Sequence, residues 1–332
     1  MSPAPLVDTY GRAHDNLRIS VTDRCNIRCF YCMPEHDVEF VKRSEILDFE
    51  EIERFVRIAV TLGIVKVRVT GGEPLVRRDL PELIRRLAAI PGIRDLALTT
   101  NGVLLPGLAE PLYEAGLRRI NVHLDTLDRE RFIQITRRDE IGKILAGLDH
   151  CRRLGYSRIK INAVAVKNLV EPDIVPLARY ARDNGFEVRY IEFMPLDAQN
   201  LWDRSRVLLA DEIIETLSRE IAPLTPVPDP DPRAPASEYD FADGVGRVGF
   251  IASVSRPFCL NCNRIRLTAD GKLRYCLFAI EEDDVKSLMR SGATDDEIAG
   301  LIRRNIAGKW EGHEINSGKF VAPPRPMYSI GG

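Results

Sequence analysis

Short β-branched runs alternate with amphipathic helical segments over residues 1–200, at intervals of roughly thirty residues. The runs predict six strands, at residues 17–22, 65–70, 94–99, 119–124, 158–164 and 186–192. Helical periodicity fills the intervals, for example in FEEIERFVRIAVTLG and DLPELIRRLAAI. Repeated strand–helix units predict parallel strands, in either a barrel or an open doubly wound sheet.

The polar positions within the strands separate these two folds. Strands covered by helices on both faces are apolar throughout. Here Arg18, Arg68 and Lys160 instead alternate with apolar neighbours, so one face of each strand is polar. Because crossover helices cover the outside, the polar face is expected to line a lumen. We therefore predict an α/β fold, with an incomplete (βα)6 TIM-like barrel over residues 1–200 that can hold a ligand.

The strand–helix rhythm stops after residue 195. The stretch PLTPVPDPDPRAPA has six prolines in fourteen residues, which predicts an extended connection within a linker region over residues 201–245. Residues 246–332 are expected to form a smaller C-terminal α+β domain that ends in two glycines. Within it, NRIRLT, the turn ADG and KLRYC predict a β-hairpin.

Composition and charge limit the possible partners. The chain is 45% apolar and 29% charged, as in ordinary globular proteins, and its net charge is −2. This balance predicts no general attraction to nucleic acid or to acidic membranes, so an anionic ligand would need locally placed positive charge. No segment resembles a signal peptide or has transmembrane length, and seven cysteines without an export signal predict a cytoplasmic location. Cys151, alone in a helical stretch, is expected to be a buried residue without a role.

Three cysteines directly follow the first predicted strand, in the run CNIRCFYC. They are Cys25, Cys29 and Cys32. Three thiolates can hold three irons of a 4Fe–4S cubane and leave the fourth iron open to a substrate or cofactor. A zinc knuckle with a distant fourth ligand is the weaker alternative, because zinc motifs usually contain C-x2-C pairs. The odd number of cysteines disfavours a disulfide framework.

A second set of three cysteines lies around the predicted hairpin, with the spacing C-x2-C-x13-C. They are Cys259, Cys262 and Cys276. From spacing alone, a zinc site with His313 as fourth ligand and an iron–sulfur cluster both stay open. Arg264 and Arg266 share one face of the hairpin beside these cysteines. That basic face suits an anionic ligand better than a purely structural clip.

Several motifs together resemble known families. CNIRCFYC and the run TGGEP at residues 70–74 are similar to the radical S-adenosylmethionine enzymes. The resemblance narrows to the GTP 3′,8-cyclases, the molybdenum cofactor biosynthesis protein A (MoaA) family. It spans nearly the whole chain in matching order. The motifs are LRISVTDRCNIRCFYC, VRVTGGEPLVRRDL, LTTNG, IEFMPL, the second cysteine set with NRIRLT, and the terminal Gly-Gly.

The resemblance implies a lyase that begins molybdenum cofactor biosynthesis. It would convert GTP to (8S)-3′,8-cyclo-7,8-dihydroguanosine 5′-triphosphate, using S-adenosylmethionine and two 4Fe–4S clusters, one on each cysteine set. Radical cleavage of S-adenosylmethionine would remove hydrogen from C3′ of the ribose, and C3′ would then bond to C8. The open iron of the second cluster would meet the guanine edge.

The resemblance also implies roles for single residues. The contacts to S-adenosylmethionine would be Tyr31, Gly72, His123 and Met194. The contacts to GTP would be Arg18, Lys66, Arg68, Thr99, Lys160, Arg264, Ile265 and Arg266. The catalytic residues would be Arg18, Arg189, Gly331 and Gly332, with Arg18 assisting a late reduction or protonation and the glycines forming a tail that enters the site. His123 departs from the family, which usually has a serine there.

The partners implied are GTP, an electron donor of the flavodoxin or ferredoxin type, and the pyranopterin monophosphate synthase that takes the product. A homodimer is expected, and neither nucleic acid nor membrane. Two alternative functions remain at this level. One is a radical S-adenosylmethionine enzyme that modifies a peptide and carries an auxiliary cluster, although it would not need the arginine-rich hairpin or the Gly-Gly tail. The other is a non-catalytic iron–sulfur or zinc-binding protein.

Overall fold

A computed structural model describes residues 5–331 of the chain. The strands are β1 (Leu6–Val7), β2 (Ala13–His14), β3 (Asn16–Ser20), β4 (Lys66–Thr70), β5 (Asp95–Thr100), β6 (Arg119–His123), β7 (Arg158–Ala165), β8 (Glu187–Glu192), β9 (Leu224–Pro226), β10 (Ser237–Phe241), β11 (Arg247–Ile251), β12 (Arg264–Leu267), β13 (Lys272–Arg274) and β14 (Asp283–Asp284). The helices are α1 (Phe49–Thr61), α2 (Leu80–Ala88), α3 (Leu105–Glu114), α4 (Arg129–Thr136), α5 (Ile141–Arg153), α6 (Glu171–Asp183), α7 (Ala210–Glu220), α8 (Val285–Arg290), α9 (Asp295–Ala307) and α10 (Met327–Ile330).

The six strands expected from the sequence are β3 to β8, and they lie side by side, all parallel and in chain order. This order has no reversal, so it is the order of a barrel rather than of a doubly wound sheet. Strand β12 joins parallel to β3, and β11 joins parallel to β8. In the described part of the chain, the outermost strands β14 and β9 do not pair with each other, so the barrel stays open. The predicted α/β fold with an incomplete barrel is confirmed.

The alternation within the strands also has the predicted consequence. Leu17 and Ile19 are fully buried in the core beneath the helices, while Arg18 between them faces the lumen. Helix α1 shows how the covering layer is built. Asp48 and Glu51 form a reciprocal capping box at its start, and its apolar side, including Phe55, is completely buried.

The region expected as a linker is more ordered than its proline content indicates. Helix α7 and strands β9 and β10 lie within residues 201–245, and β10 pairs with both β9 and β11. Proline is tolerated there because β9 is an edge strand. The region expected as a linker therefore contains α7, β9 and β10, whereas residues 227–236 of the proline-rich stretch lie outside any helix or strand. The division of the chain into domains at residues 200 and 245 stays a prediction.

The second cysteine set surrounds the hairpin predicted for it. Strands β12 and β13 pair antiparallel, with Arg266 opposite Arg274. The chain then passes through α8 and α9 and returns to the barrel, where the Met327 N–H donates to the Leu196 carbonyl at 3.0 Å. Among the helices of residues 5–331, none is both long and apolar enough to cross a membrane.

Candidate active site

A cavity of about 330 Å³ lies inside the open barrel, within the size range of small-molecule sites. Its walls come from the lumen face of the central strands and from the loops that follow them. All six cysteines of the two sets line it, as do side chains from the hairpin and residues Met327 and Tyr328 of the C-terminal helix. The barrel and the C-terminal region thus share one chamber.

Backbone hydrogen bonds hold the first cysteine loop in place. The N–H groups of Arg28 and Phe30 donate to carbonyls of Thr136 and Ile135 at 2.9 and 3.1 Å. Within the loop, the Cys32 N–H donates to the Cys29 carbonyl at 2.9 Å, and the Arg28 side chain donates to the Cys25 carbonyl at 2.6 Å. The three thiols therefore face the cavity from a fixed turn.

The environment of these thiols fits a bound iron–sulfur cluster. Burial raises the pKa of Cys25 to about 12, and burial together with the neighbouring cysteines raises the pKa of Cys32 well above its usual value. Thiolates at Cys25 and Cys32 are thus unfavourable alone and need a cation beside them. Iron supplies that charge, and three soft sulfur donors are what an iron–sulfur cluster takes from a protein.

The second cysteine set is held differently, by positive charge. Arg264 Nη2 lies 3.4 Å from Cys262 Sγ, and Lys309 Nζ lies 3.5 Å from it. Burial acts to raise the pKa of Cys262, but the charges of Arg264 and Lys309 outweigh it and lower the pKa to about 6. The His313 backbone donates to the Cys259 sulfur, and this contact does not involve the His313 side chain. A thiolate ligand is favoured at Cys262 before any metal arrives.

No three His, Cys, Asp or Glu side chains in residues 5–331 are grouped so as to hold one metal ion. That absence applies to both cysteine sets alike, so it does not decide between zinc and an iron–sulfur cluster at the second set. The cysteines of this set line the cavity, where a ligand can reach a metal bound to them. Structural zinc sites are closed instead.

Three arginines form a row across neighbouring strands. Arg266 of β12 pairs in register with Arg18 of β3, which pairs with Arg68 of β4. We call these three residues the arginine row. Among the described residues, no carboxylate lies within 4.0 Å of any of them.

The arginine row is electrostatically unfavourable without an anion. Burial, then the charges of Arg266, Arg264 and Arg68, lower the pKa of Arg18 well below its usual value. Burial and neighbouring arginines lower the pKa of Arg68 to about 10 and that of Arg266 to about 9. Buried Arg18 Nε has no hydrogen-bond partner in the described chain. Polyanions such as phosphate chains supply the missing charge.

Lys160, Arg189 and Lys66, unlike Arg264 and the arginine row, are already paired with acids. Lys160 Nζ lies 2.6 Å from Glu187 and 3.4 Å from Glu238. Arg189 bonds to the same two carboxylates. Lys66 Nζ lies 3.9 Å from Asp15 and 3.7 Å from Asp231. Within the described chain, these cations are neutralised and those of the arginine row are not.

The expected residues therefore divide by position. Those lining the cavity are Arg18, Tyr31, Arg68, Gly72, Thr99, His123, Arg189, Met194, Arg264, Arg266 and the six cysteines. Lys66, Lys160 and Ile265 do not line it. Ile265 is fully buried on the core side of β12, which alternation requires because its neighbours Arg264 and Arg266 face the lumen. Only its backbone is left to contact a ligand.

Gly72 is required by the chain as well as by any ligand. A Cβ there would lie 2.6 Å from the Arg24 carbonyl and 2.7 Å from the Asp23 carbonyl. The glycine loop after β4 therefore crosses directly over the segment that leads into the first cysteine loop. Any side chain at residue 72 would push the two apart.

His123 belongs to a buried hydrogen-bond network. Tyr31 donates to Asp125 Oδ2 at 2.5 Å, and His123 Nε2 lies 2.6 Å from the Tyr31 oxygen and 3.2 Å from Asp125. Burial acts to lower the pKa of His123, but Asp125 outweighs it and raises the pKa well above its usual value. Cys29 acts in the same direction as Asp125, and the imidazole fills a place in this network that a serine does not reach.

The C-terminal tail joins the two cysteine regions. Arg325 is paired with Asp270 at 2.7 Å and with Glu282 at 3.0 Å, next to the hairpin. Beyond it, the Tyr328 backbone donates to the Cys32 sulfur. Gly331 is buried, and a Cβ there would lie 2.7 Å from that of Ser20. Gly332 lies outside the described residues.

Several residues at the site were not assigned from the sequence. Asn101 donates to Asn26 at 2.7 Å and lies 3.7 Å from Cys25 Sγ. Glu73 accepts hydrogen bonds from Leu75, Thr100 and Asn101 at 2.6–2.9 Å. Both lie in runs singled out in the sequence, LTTNG and TGGEP. Arg12 and Lys309, which contact the second cysteine loop, lie in no such motif.

Comparisons with known proteins agree with this geometry. The Radical SAM superfamily matches residues 19–181, and the family described as Molybdenum Cofactor Synthesis C matches residues 186–315. The chain is similar to a protein of Rhodopirellula baltica named GTP 3′,8-cyclase, with 48% identity over 99% of this chain and 93% of that one. Proteins of the same name from Mycolicibacterium smegmatis and Pelotomaculum thermopropionicum are 48% and 45% identical, over 100% and 98% of this chain and 94% and 100% of theirs.

Among solved structures, the fold is similar to that of Streptococcus suis SuiB bound to S-adenosylmethionine. The TM-score is 0.63 at 15% identity, covering 87% of this chain and 68% of that one. At this identity the likeness supports the fold alone, with its partial barrel and additional C-terminal region.

Proposed function

Because the chain belongs to the GTP 3′,8-cyclase family of radical S-adenosylmethionine enzymes, we propose that its cavity holds GTP between two iron–sulfur clusters. The enzyme acts in molybdenum cofactor biosynthesis, and family membership sets aside both a peptide-modifying enzyme and a non-catalytic metal protein. The observation that carries the proposal is that both cysteine sets and the arginine row line one cavity.

Each cysteine set has a separate task in this proposal. Cys25, Cys29 and Cys32 would hold the cluster that binds S-adenosylmethionine. The second set would hold the cluster whose open iron meets the guanine edge. Together the first cluster and S-adenosylmethionine supply one-electron chemistry that removes hydrogen from C3′ of the ribose.

The protein residues would bind and orient the two small molecules. Tyr31, Gly72, His123 and Met194 line the wall beside the first cysteine loop and would contact S-adenosylmethionine. The arginine row and Arg264 would contact GTP, and Thr99 faces the same space. Holding C3′ near the site of hydrogen removal and C8 near C3′ is the protein's main contribution to the rate. Arg18 would also assist the late reduction or protonation.

Lys160, Arg189 and Lys66 would bind the triphosphate only after their ion pairs with carboxylates are broken. Lys160 and Arg189 share Glu187 and Glu238, and Lys66 lies between Asp15 and Asp231. A triphosphate near these residues must compete with those carboxylates. The tail that ends in Gly331 and Gly332 would close the site, and at Gly331 a Cβ would lie 2.7 Å from that of Ser20.

Iron and sulfide analysis tests the two-cluster assignment. After anaerobic reconstitution, the full chain should hold about eight irons, and a chain with either cysteine set replaced by alanine about four. Cys151→Ala is the matched control, because Cys151 is buried outside the cavity and should leave the iron content unchanged. About four irons in the full chain, with zinc on the second set, would contradict the proposal.

The remaining partners follow from the chemistry. The first cluster needs an electron donor of the flavodoxin or ferredoxin type, and the product, (8S)-3′,8-cyclo-7,8-dihydroguanosine 5′-triphosphate, would pass to pyranopterin monophosphate synthase. We propose a homodimer located in the cytoplasm.

A further inference from the structure

Lys309 is a buried cation beside the second cysteine set. It follows helix α9 and is 4% exposed. Its Nζ donates to the Arg264 carbonyl at 2.9 Å and to the Cys262 carbonyl at 3.4 Å, and lies 3.5 Å from Cys262 Sγ. In residues 5–331, no carboxylate lies within 4.0 Å of it.

Such a cation needs a negative partner. A buried ammonium group is stable only when it is paired, because burial removes its hydration. Lys286 shows the usual solution in the same chain, since it is 8% exposed and lies 2.5 Å from a carboxylate oxygen of Glu45. For Lys309, the groups that can become anions are cysteine sulfurs: Cys262 Sγ lies 3.5 Å away, and Cys276 acts on Lys309 in the same sense. Carbonyl oxygens satisfy its protons but not its charge.

The loop that carries the sulfur is fixed from a second side. Arg12 Nη1 donates to the Cys259 carbonyl at 2.8 Å, and Arg12 Nη2 donates to the Trp310 carbonyl at 2.5 Å. Arg12 therefore ties the Cys259 loop to the residue that follows Lys309. Arg12 thus restrains the backbone on both sides of the contact between Lys309 and Cys262.

We propose that Lys309 is a positioning residue of the second cluster, whose ammonium group binds the Cys262 thiolate and makes the cluster easier to reduce. This rests on the proposed function, namely a cluster on Cys259, Cys262 and Cys276. Reduction adds one electron to the cluster and no proton, so a fixed positive charge stabilises the reduced form. Hydrogen bonds to cluster sulfurs and nearby charge are known to set such potentials.

The test uses a full-length chain in which Cys25, Cys29 and Cys32 are replaced by alanine, so that only the second cluster is present. After anaerobic reconstitution, iron is counted, and the midpoint potential is measured by electron paramagnetic resonance during titration with dithionite. Lys309→Met should shift the midpoint to a more negative potential and weaken iron retention against a chelator by about 10- to 100-fold. Lys309→Arg should keep both near the parent values.

Two further variants make the outcome decisive. Lys286→Met removes an equally buried lysine away from the cysteines and should leave the potential unchanged. Lys309→Gln keeps a hydrogen-bond donor without the charge and should shift the potential as Lys309→Met does. Equal potentials in the parent, Lys309→Met and Lys309→Gln would overturn the role of Lys309. A parent chain without iron would instead overturn the second cluster itself.

Discussion

Arg266 Nη1 donates a 2.6 Å hydrogen bond to the carbonyl oxygen of Gly331, so the C-terminal tail is held against the arginine row. Gly331 has φ +87°, and a Cβ on it would lie 2.7 Å from that of Ser20. The tail therefore reaches Arg266 only because this residue has no side chain.

Replacing Gly331 by alanine should displace the tail. The variant combines a left-handed backbone, unfavourable by about 1 kcal/mol for alanine, with a contact that cannot be accommodated. We expect at least a tenfold lower rate of GTP cyclisation at unchanged iron content. Gly318→Ala is the control, since a Cβ at that exposed glycine meets nothing within 4 Å. Equal rates in the two variants would show that the tail does not depend on Gly331.

Removing Arg18 should stabilise the ligand-free protein while abolishing its response to GTP. Its neighbours Arg266 and Arg68 repel it, and replacing an uncompensated buried charge by an apolar side chain is often stabilising by about 1–3 kcal/mol. In thermal unfolding, Arg18→Met should melt higher without GTP, and GTP should no longer raise its melting temperature. Arg303→Met, at an exposed position on α9, should behave as the parent. A lower melting temperature without GTP would contradict the unfavourable charge assigned to the arginine row.

Lys160 should behave as half of a buried ion pair. Removing one partner leaves Glu187 with less compensation, so Lys160→Met should lower the free energy of unfolding by about 3 kcal/mol. Adding Glu187→Gln to the same chain should restore part of the loss, because it removes the stranded charge. Urea unfolding of the single and double variants measures both effects. If Lys160→Met is as stable as the parent, the pair is not structural.

His14 should make the fold sensitive to acid. Burial, followed by the charge of Lys309, lowers its pKa from 6.5 to about 4 in the folded chain. Between pH 6.5 and about 4, His14 is therefore protonated in the unfolded chain and neutral in the folded chain. The resulting stability is complete above pH 6.5 and is lost as pH falls to about 4, by up to about 3 kcal/mol.

Urea unfolding of the cluster-free chain over this pH range checks the prediction for His14. His14→Gln should flatten the dependence between pH 6.5 and 4. His36→Gln should leave it unchanged, because the His36 side chain is 81% exposed. If the free energy of unfolding of His14→Gln still falls between pH 6.5 and 4, another group causes the acid sensitivity.

The central strands were predictable because polar and apolar residues alternate along them. Leu17 and Ile19 face the helices, and successive side chains of a strand point to opposite faces. Arg18 between them must therefore face the lumen, so its position follows from the sequence. Strand β9 was missed because it is an edge strand, which tolerates the prolines that otherwise indicate a linker, and β10, which contains no proline, pairs on one side with β9. The residues of a short segment do not show which distant strand that segment can pair with.

The site was predictable where its residues lie in motifs, and less so where charge is shared across the fold. The cysteines, Gly72 and the arginine row fall in contiguous runs. By contrast, Lys160 and Arg189 looked like free cations until strand pairing placed Glu187 and Glu238 beside them. Lys309 and Arg12 reach the second cysteine loop from opposite ends of the chain, and no spacing rule connects residues so far apart.

The most direct test of GTP lying between both cysteine sets is a turnover experiment with labelled substrate. Reconstituted enzyme is mixed anaerobically with dithionite, S-adenosylmethionine and GTP carrying deuterium at C3′. We predict the 3′,8-cyclised nucleotide, with the C3′ deuterium recovered in 5′-deoxyadenosine, and loss of the cyclised product when Cys259, Cys262 and Cys276 are replaced by alanine. Intact GTP beside cleaved S-adenosylmethionine in the full enzyme would contradict the assignment.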